Sequence, residues 1–121
     1  MVLNVVLFFC KIMKIAVLCG GPSLERGVSL NSTRSLLDHL SGDGIEIVAV
    51  YFDQKKQPYH IPTHQLYSNT PSDFDFKLAQ TGKPLTQAGL IRLLKTCAVV
   101  FPAIHGSFGE DGGIQRLLAK H

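Results

Sequence analysis

Three runs of apolar residues stand out along this chain, and each predicts a buried strand. They are residues 14–19, 45–52 and 98–101. Nearly continuous apolar runs of this length are typical of strands in parallel sheets, where both faces are covered. Residues 27–41 carry apolar positions at helical spacing, so a right-handed βαβ unit is predicted from the first strand to the second. The positions expected to face the sheet are Val28, Leu30, Leu36, Leu37 and Leu40.

The second half of the chain gives weaker signals. Residues 59–61 predict a short return strand, whereas residues 63–84 predict a long loop with short irregular structure, because prolines and a glycine interrupt it. Thr86 is placed to cap a helix over residues 87–95, and a last helix is expected over residues 113–121. The alternation of elements predicts an α/β fold with a mainly parallel, Rossmann-like sheet flanked by helices.

Two glycine-containing loops follow the carboxyl ends of predicted strands. The first contains Gly20 and Gly21 and brings the carboxylate of Glu25 to the start of a predicted helix. The second, after residues 98–101, contains His105 and Glu110. Ligands of open α/β sheets bind outside the carboxyl ends of the strands, so we expect both loops to face one crevice.

The candidate side chains in these loops are open to two interpretations each. Glu25 either complements the positive end of the helix dipole or holds an ammonium group of a ligand. His105 is either a structural hydrogen-bonding residue or a group at a reacting centre. Glu110 either caps the last helix or accepts a hydrogen bond from His105, which would orient the imidazole and favour its charged form.

Composition and spacing exclude several other functions. The 121 residues are enough for one domain, and the net charge of +3 is scattered, without the basic patch expected of a nucleic-acid-binding protein. The five histidines and three cysteines show no metal-ligand spacing, so no metal site is predicted. Neither GxGxxG nor a Walker A loop is present.

The first twelve residues are treated separately from the domain. Residues 1–12 form a mainly apolar N-terminal extension, too short to span a membrane as a helix and without the features of a signal peptide. Met13, just before the first predicted strand, resembles a natural start. The cysteine usage fits a reducing compartment, so a cytoplasmic protein that binds neither membrane nor nucleic acid is expected.

Taken together, the two loops resemble the N-terminal domain of the D-alanine–D-alanine ligases, which belong to the ATP-grasp superfamily. The resemblance covers residues 13–121 and implies a pre-ATP-grasp sheet. The matching segments are residues 14–21, 23–26, 28–30, 99–102, 105–106, 109–112 and 114–115. Gly27 departs from the family pattern, which usually has an acidic residue at this position.

The resemblance implies roles for three catalytic residues. Glu25 matches the glutamate that holds the ammonium group of the first D-alanine, and His105 matches the histidine near its carboxylate and the reacting centre. Glu110 matches the acid that orients this histidine. The implied substrate-binding set is Gly20, Gly21, Glu25, Val28 and His105.

The family enzymes join two D-alanines for peptidoglycan synthesis and use ATP and Mg²⁺, which their central and C-terminal domains bind. The 121 residues contain no counterpart of those domains, so no cofactor is expected on this chain alone. We expect a truncated or split ligase that needs a separately encoded ATP-grasp chain and forms a homodimer as family members do. The alternative is a non-catalytic, stand-alone α/β binding or interaction module derived from such a ligase.

Overall fold

A computed structural model describes residues 13–21, 26–40, 42, 44–67, 71–104, 116 and 119. The N-terminal extension and most of the predicted last helix lie outside these residues, as do the predicted catalytic residues Glu25, His105 and Glu110.

The described residues form one five-stranded sheet with the order β4-β3-β2-β1-β5. Strand β1 lies between β2 and β5 and is parallel to both, whereas β3 and β4 are antiparallel additions at the far edge. The predicted mainly parallel α/β sheet is therefore confirmed. The strands are β1 (Met13–Gly20), β2 (Ile45–Phe52), β3 (Pro58–Ile61), β4 (Lys83–Pro84) and β5 (Val99–Pro102).

Three α-helices lie among the described residues and cover both faces of the sheet. They are α1 (Arg26–Leu40), α2 (Pro71–Thr81) and α3 (Gln87–Lys95), and a short 3-10 helix spans Thr63–Tyr67. Helix α3 begins where the sequence predicts, because the Thr86 hydroxyl accepts a hydrogen bond from the Gly89 amide at 3.0 Å. No helix in the described part of the chain is long and apolar enough to cross a membrane.

Side chains alternate along β1 and β2 and divide the core into two layers. On one face, Leu18 and Val50 pack with Leu90 and Leu94 of α3. On the other face, the opposite set of strand residues packs against α1, α2 and the 3-10 helix. The central strands are therefore buried on both faces, which explains their continuous apolar sequence.

The prediction for residues 63–84 was wrong. This segment contains the 3-10 helix, the eleven-residue helix α2 and strand β4 instead of a long loop. Pro71 stands at the start of α2, where its missing N–H costs no hydrogen bond, and Gly82 closes the other end by donating to the Leu78 carbonyl at 2.9 Å. Buried Phe74 anchors the helix, with its ring centroid 4.7 Å from that of Tyr51.

The predicted apolar face of α1 needs one correction. Leu30 and Leu37 are buried, but Val28 is 51% exposed. Residue 28 belongs to the first turn of the helix, and its side chain is turned away from the sheet while Ser29 occupies the buried position. The buried face of α1 therefore begins at Ser29, one residue after the position that the apolar pattern predicts.

Candidate functional site

The order of the strands predicts a crevice beside β1. The chain places β2 on one side of β1 and β5 on the other, so the winding of the sheet reverses between β1 and β5. Such a switch point leaves a gap at the carboxyl ends of the two strands, where open α/β sheets bind ligands. Gly21 follows β1 at this end, and Ala103 and Ile104 follow β5.

The glycine turn after β1 can only be built from residues without a Cβ atom. Gly20 and Gly21 have φ angles of 85° and 104°, in the region that side chains rarely adopt. A Cβ atom on Gly20 would overlap the Tyr51 ring and the Phe52 carbonyl. A Cβ atom on Gly21 would lie 2.8 Å from the Ile104 Cγ2 atom. The space beside Gly21 is therefore too small for a side chain, because Ile104 occupies it.

Backbone hydrogen bonds fix both strand ends at the crevice. The Gly21 amide donates to the Phe52 carbonyl at 2.7 Å, which holds the turn against the end of β2. The Ala103 amide donates to the Leu18 carbonyl at 2.7 Å, which extends the pairing of β5 with β1. The main chain entering each loop is thus held by the sheet itself.

A buried serine connects the two strand ends to α1. Ser29 is fully buried, and its hydroxyl oxygen accepts a hydrogen bond from the Gly20 amide at 3.0 Å. The same hydroxyl donates to the Ala103 carbonyl at 2.6 Å. Sequence reasoning included Ser29 in the family motif but assigned it no role. The sequence feature that could have identified Ser29 is its polar side chain between Val28 and Leu30, at the start of an apolar helix face.

Some of the predicted site residues lie among the described residues, and others lie outside them. Gly20 and Gly21 lie at the carboxyl end of β1, and the start of α1 carries Val28 with its side chain exposed. Glu25 lies outside the described residues, directly before α1. His105 and Glu110 also lie outside them, and His105 directly follows Ile104. The elements that carry the two loops are therefore brought together, while the geometry of the three catalytic candidates stays a prediction.

The thiol nearest the crevice is not a nucleophile. Cys19 is fully buried, and this burial raises its pKa from 9.0 to about 12, with a smaller opposing effect from its hydrogen bond with Thr33. The thiol is therefore neutral at ordinary pH, and a neutral buried thiol is unreactive. Cys19 is instead a small residue of the apolar core.

The described residues at the crevice do not fit a nucleotide with its magnesium ion. Their polar groups are backbone amides and carbonyls and the one buried hydroxyl of Ser29. Across the described ranges, no group of three or more His, Cys, Asp or Glu side chains is placed to hold a metal ion. No step of phosphoryl transfer is assigned to these residues.

Comparison with known proteins agrees with this geometry. A model of the family described as D-ala D-ala ligase N-terminus matches residues 14–121. The D-alanine–D-alanine ligase of Finegoldia magna is 35% identical over 109 residues, covering 84% of this chain and 29% of that protein. D-alanine–D-alanine ligase A of Escherichia coli K12 is 28% identical, covering 88% of this chain and 32% of that protein.

Solved structures show the same fold. The D-alanine–D-alanine ligase from Coxiella burnetii has a TM-score of 0.71 at 25% identity, covering 90% of this chain and 33% of that one. The enzyme from Helicobacter pylori has a TM-score of 0.68 at 25% identity, covering 89% and 35%. The chain thus spans about a third of the length of the ligases it matches. Because the family model matches nearly the whole sequence and the fold agrees, the chain belongs to the D-ala D-ala ligase N-terminus family.

Proposed function

We propose that this chain is the D-alanine-binding N-terminal part of a D-alanine–D-alanine ligase, which serves peptidoglycan precursor synthesis. The observation that carries the proposal is the switch point, where the two motif segments leave adjacent parallel strands at the same edge of the sheet. The contact of Gly21 with Ile104 supports it, because it brings the first residues of both loops together. The domain spans residues 13–121, and residues 1–12 are an extension to it.

Each catalytic candidate has a chemical role in this proposal. Glu25 holds the ammonium group of the first D-alanine, since a carboxylate beside an otherwise backbone-lined crevice is the complementary charge. His105 lies next to the carboxylate of that substrate and the reacting centre. Glu110 orients the imidazole of His105. The exposed side chain of Val28 packs against the substrate at the entrance from α1.

We propose that phosphoryl transfer uses groups that the described residues do not contain. Activation of the first D-alanine by ATP depends on cations that neutralise developing charge on the transferred group, and the described residues contain no cluster of three or more His, Cys, Asp or Glu side chains placed to hold a metal ion. We infer that ATP-grasp residues must be supplied in addition, either from the same polypeptide or from a separate chain. A homodimer is a further part of this proposal.

Reconstitution tests the proposal directly. The purified 121-residue chain is assayed for dipeptide formation from D-alanine and ATP, alone and with a separately expressed ATP-grasp part of a D-alanine–D-alanine ligase. We expect no product from either part alone and product from the mixture. Dipeptide formed by this chain alone would contradict the proposal that ATP-grasp residues must be supplied in addition. Failure of the chain to bind D-alanine in an NMR titration would favour the alternative, a non-catalytic α/β module.

A charge-neutral substitution tests the role of Glu25. Glu25→Gln should weaken D-alanine binding by about 1.5–3 kcal/mol, the usual contribution of a hydrogen bond to a charged group. The matched control is Glu46→Gln, because Glu46 is exposed near the opposite end of β2. Equal affinity in the two variants would exclude Glu25 as the ammonium anchor.

A further inference from the structure

The hydroxyl of Ser29 makes contacts that its own helix does not need. Its partners are the Gly20 amide at the end of β1 and the Ala103 carbonyl beyond the end of β5. Both are backbone groups, and both hydrogen bonds lie in the buried interior. One hydroxyl, donating once and accepting once, therefore joins the consecutive elements β1 and α1 to the end of β5, 74 residues away.

The position of Ser29 in α1 gives this joint a geometric consequence. The helix begins at Arg26, so Ser29 belongs to its first turn, and Glu25 directly precedes that turn. Ala103 lies two residues before His105. A bond between the first turn and Ala103 therefore fixes the origin of one loop relative to the origin of the other.

A second buried hydroxyl in α1 makes a different set of hydrogen bonds. Thr33 is also fully buried and lies one turn further along, but its hydroxyl donates to the Ser29 carbonyl at 2.8 Å within the helix. The Ser29 hydroxyl bonds to main-chain groups at the ends of two strands, whereas the Thr33 side chain bonds within its own helix and to the Cys19 side chain. This pair of buried hydroxyls provides a matched comparison inside one helix.

We propose that Ser29 is a positioning residue whose hydroxyl sets the separation of the two loops carrying Glu25 and His105. The effect on D-alanine binding rests on the proposed function, whereas the joint itself does not. Removing the hydroxyl leaves the Gly20 amide and the Ala103 carbonyl buried without a partner. The strand ends then separate or admit water, and the loops lose their fixed spacing.

Amide hydrogen exchange measured by NMR tests the joint. In Ser29→Ala, exchange of the Gly20 amide should be about tenfold faster, since that amide loses its acceptor, while the Val50 amide in the centre of β2 is unaffected. Thr33→Val, which removes the other buried hydroxyl, should leave Gly20 exchange unchanged. Ser29→Cys keeps nearly the same volume but has a weaker partner, so its exchange rate should fall between those of wild type and Ser29→Ala.

D-alanine titration of the same variants tests positioning. We expect Ser29→Ala to raise the Kd for D-alanine about tenfold and Thr33→Val to change it less than about twofold, even where both lower the melting temperature. Unchanged Gly20 exchange in Ser29→Ala overturns the joint. Faster exchange with unchanged D-alanine affinity overturns the positioning role. If the wild-type chain binds no D-alanine, the proposed function fails, and the exchange measurement still decides whether Ser29 joins the strands.

Discussion

The two faces of the sheet are built from different chemistry. Among the described residues, the buried side chains of the layer under α3 are apolar, and they include Leu18, Val50 and Leu90. The layer under α1 also contains the buried polar residues Ser29 and Thr33. Apolar contacts are non-directional, whereas hydrogen bonds fix the relative position of the groups they join. Both faces therefore stabilise the fold through apolar contacts, and the α1 face also fixes the relative position of β1, α1 and β5 through hydrogen bonds.

The largest expected effect is a loss of stability on the α3 face. Leu90 is 1% exposed, so Leu90→Ala should lower the free energy of unfolding by about 3 kcal/mol through lost burial and a residual cavity. Gly20 amide exchange and D-alanine affinity should stay near wild type wherever the variant is folded. Urea unfolding measures the change, with Leu93→Ala, at a partly buried position of the same helix, as the control. An equal loss in the two variants would contradict the assignment of Leu90 to the core.

A smaller effect is expected from pH, through the thiol of the α1 face. Cys19 has a folded-state pKa of about 12 against 9.0 unfolded, so the unfolded chain loses its proton first as pH rises. Stability is therefore complete below about pH 9 and falls toward pH 12, by about 2 kcal/mol between pH 9 and about pH 10.5. Urea unfolding at several pH values should show this loss in wild type and a flatter profile in Cys19→Ala. Parallel profiles would show that the thiol ionises equally in both states.

The smallest effect separates backbone strain from contact at the crevice. Gly21 and Gly44 have φ angles of 104° and 82°, but an added Cβ atom meets Ile104 only at Gly21 and nothing within 4 Å at Gly44. Both Gly→Ala substitutions should cost about 1–2 kcal/mol from the left-handed backbone. Gly21→Ala should cost about 1 kcal/mol more, because Ile104 must move. Equal losses by thermal unfolding would show that the two loops are not in contact.

The central part of the fold could be predicted because its signals are local. β1, β2 and α3 follow from continuous apolar runs and from the hydroxyl of Thr86, and their observed bounds lie within one residue of the prediction. Helix α2 was missed because Pro71 and Gly82 are turn formers in most contexts. Here they mark the two ends of a helix, and the packing of Phe74 on Tyr51, which holds that helix in place, is a tertiary contact.

For the candidate site, the sequence predicts only the edge of the sheet at which both loops emerge. Gly20, Gly21 and the second loop could be assigned to one edge, because carboxyl ends of parallel strands share an edge. The joint at Ser29 could not be predicted, since its partner Ala103 is 74 residues away and contributes a carbonyl, which has no sequence signature. A serine in an apolar helix face indicates that its hydroxyl has a buried hydrogen-bond partner, but the sequence does not identify that partner.

The location of β5 at the sheet edge determines when the crevice can exist during folding. β1, α1 and β2 are consecutive, so they can assemble from short-range contacts, whereas β5 must close a much longer loop to reach β1. β5 has a partner on only one side within the described sheet and pairs through four residues, against eight between β1 and β2. Detachment of this one strand would open the crevice while leaving the rest of the sheet paired. A ligand bound between the two loops would therefore slow the detachment of β5. Its first observable effect would be slower amide hydrogen exchange in this strand.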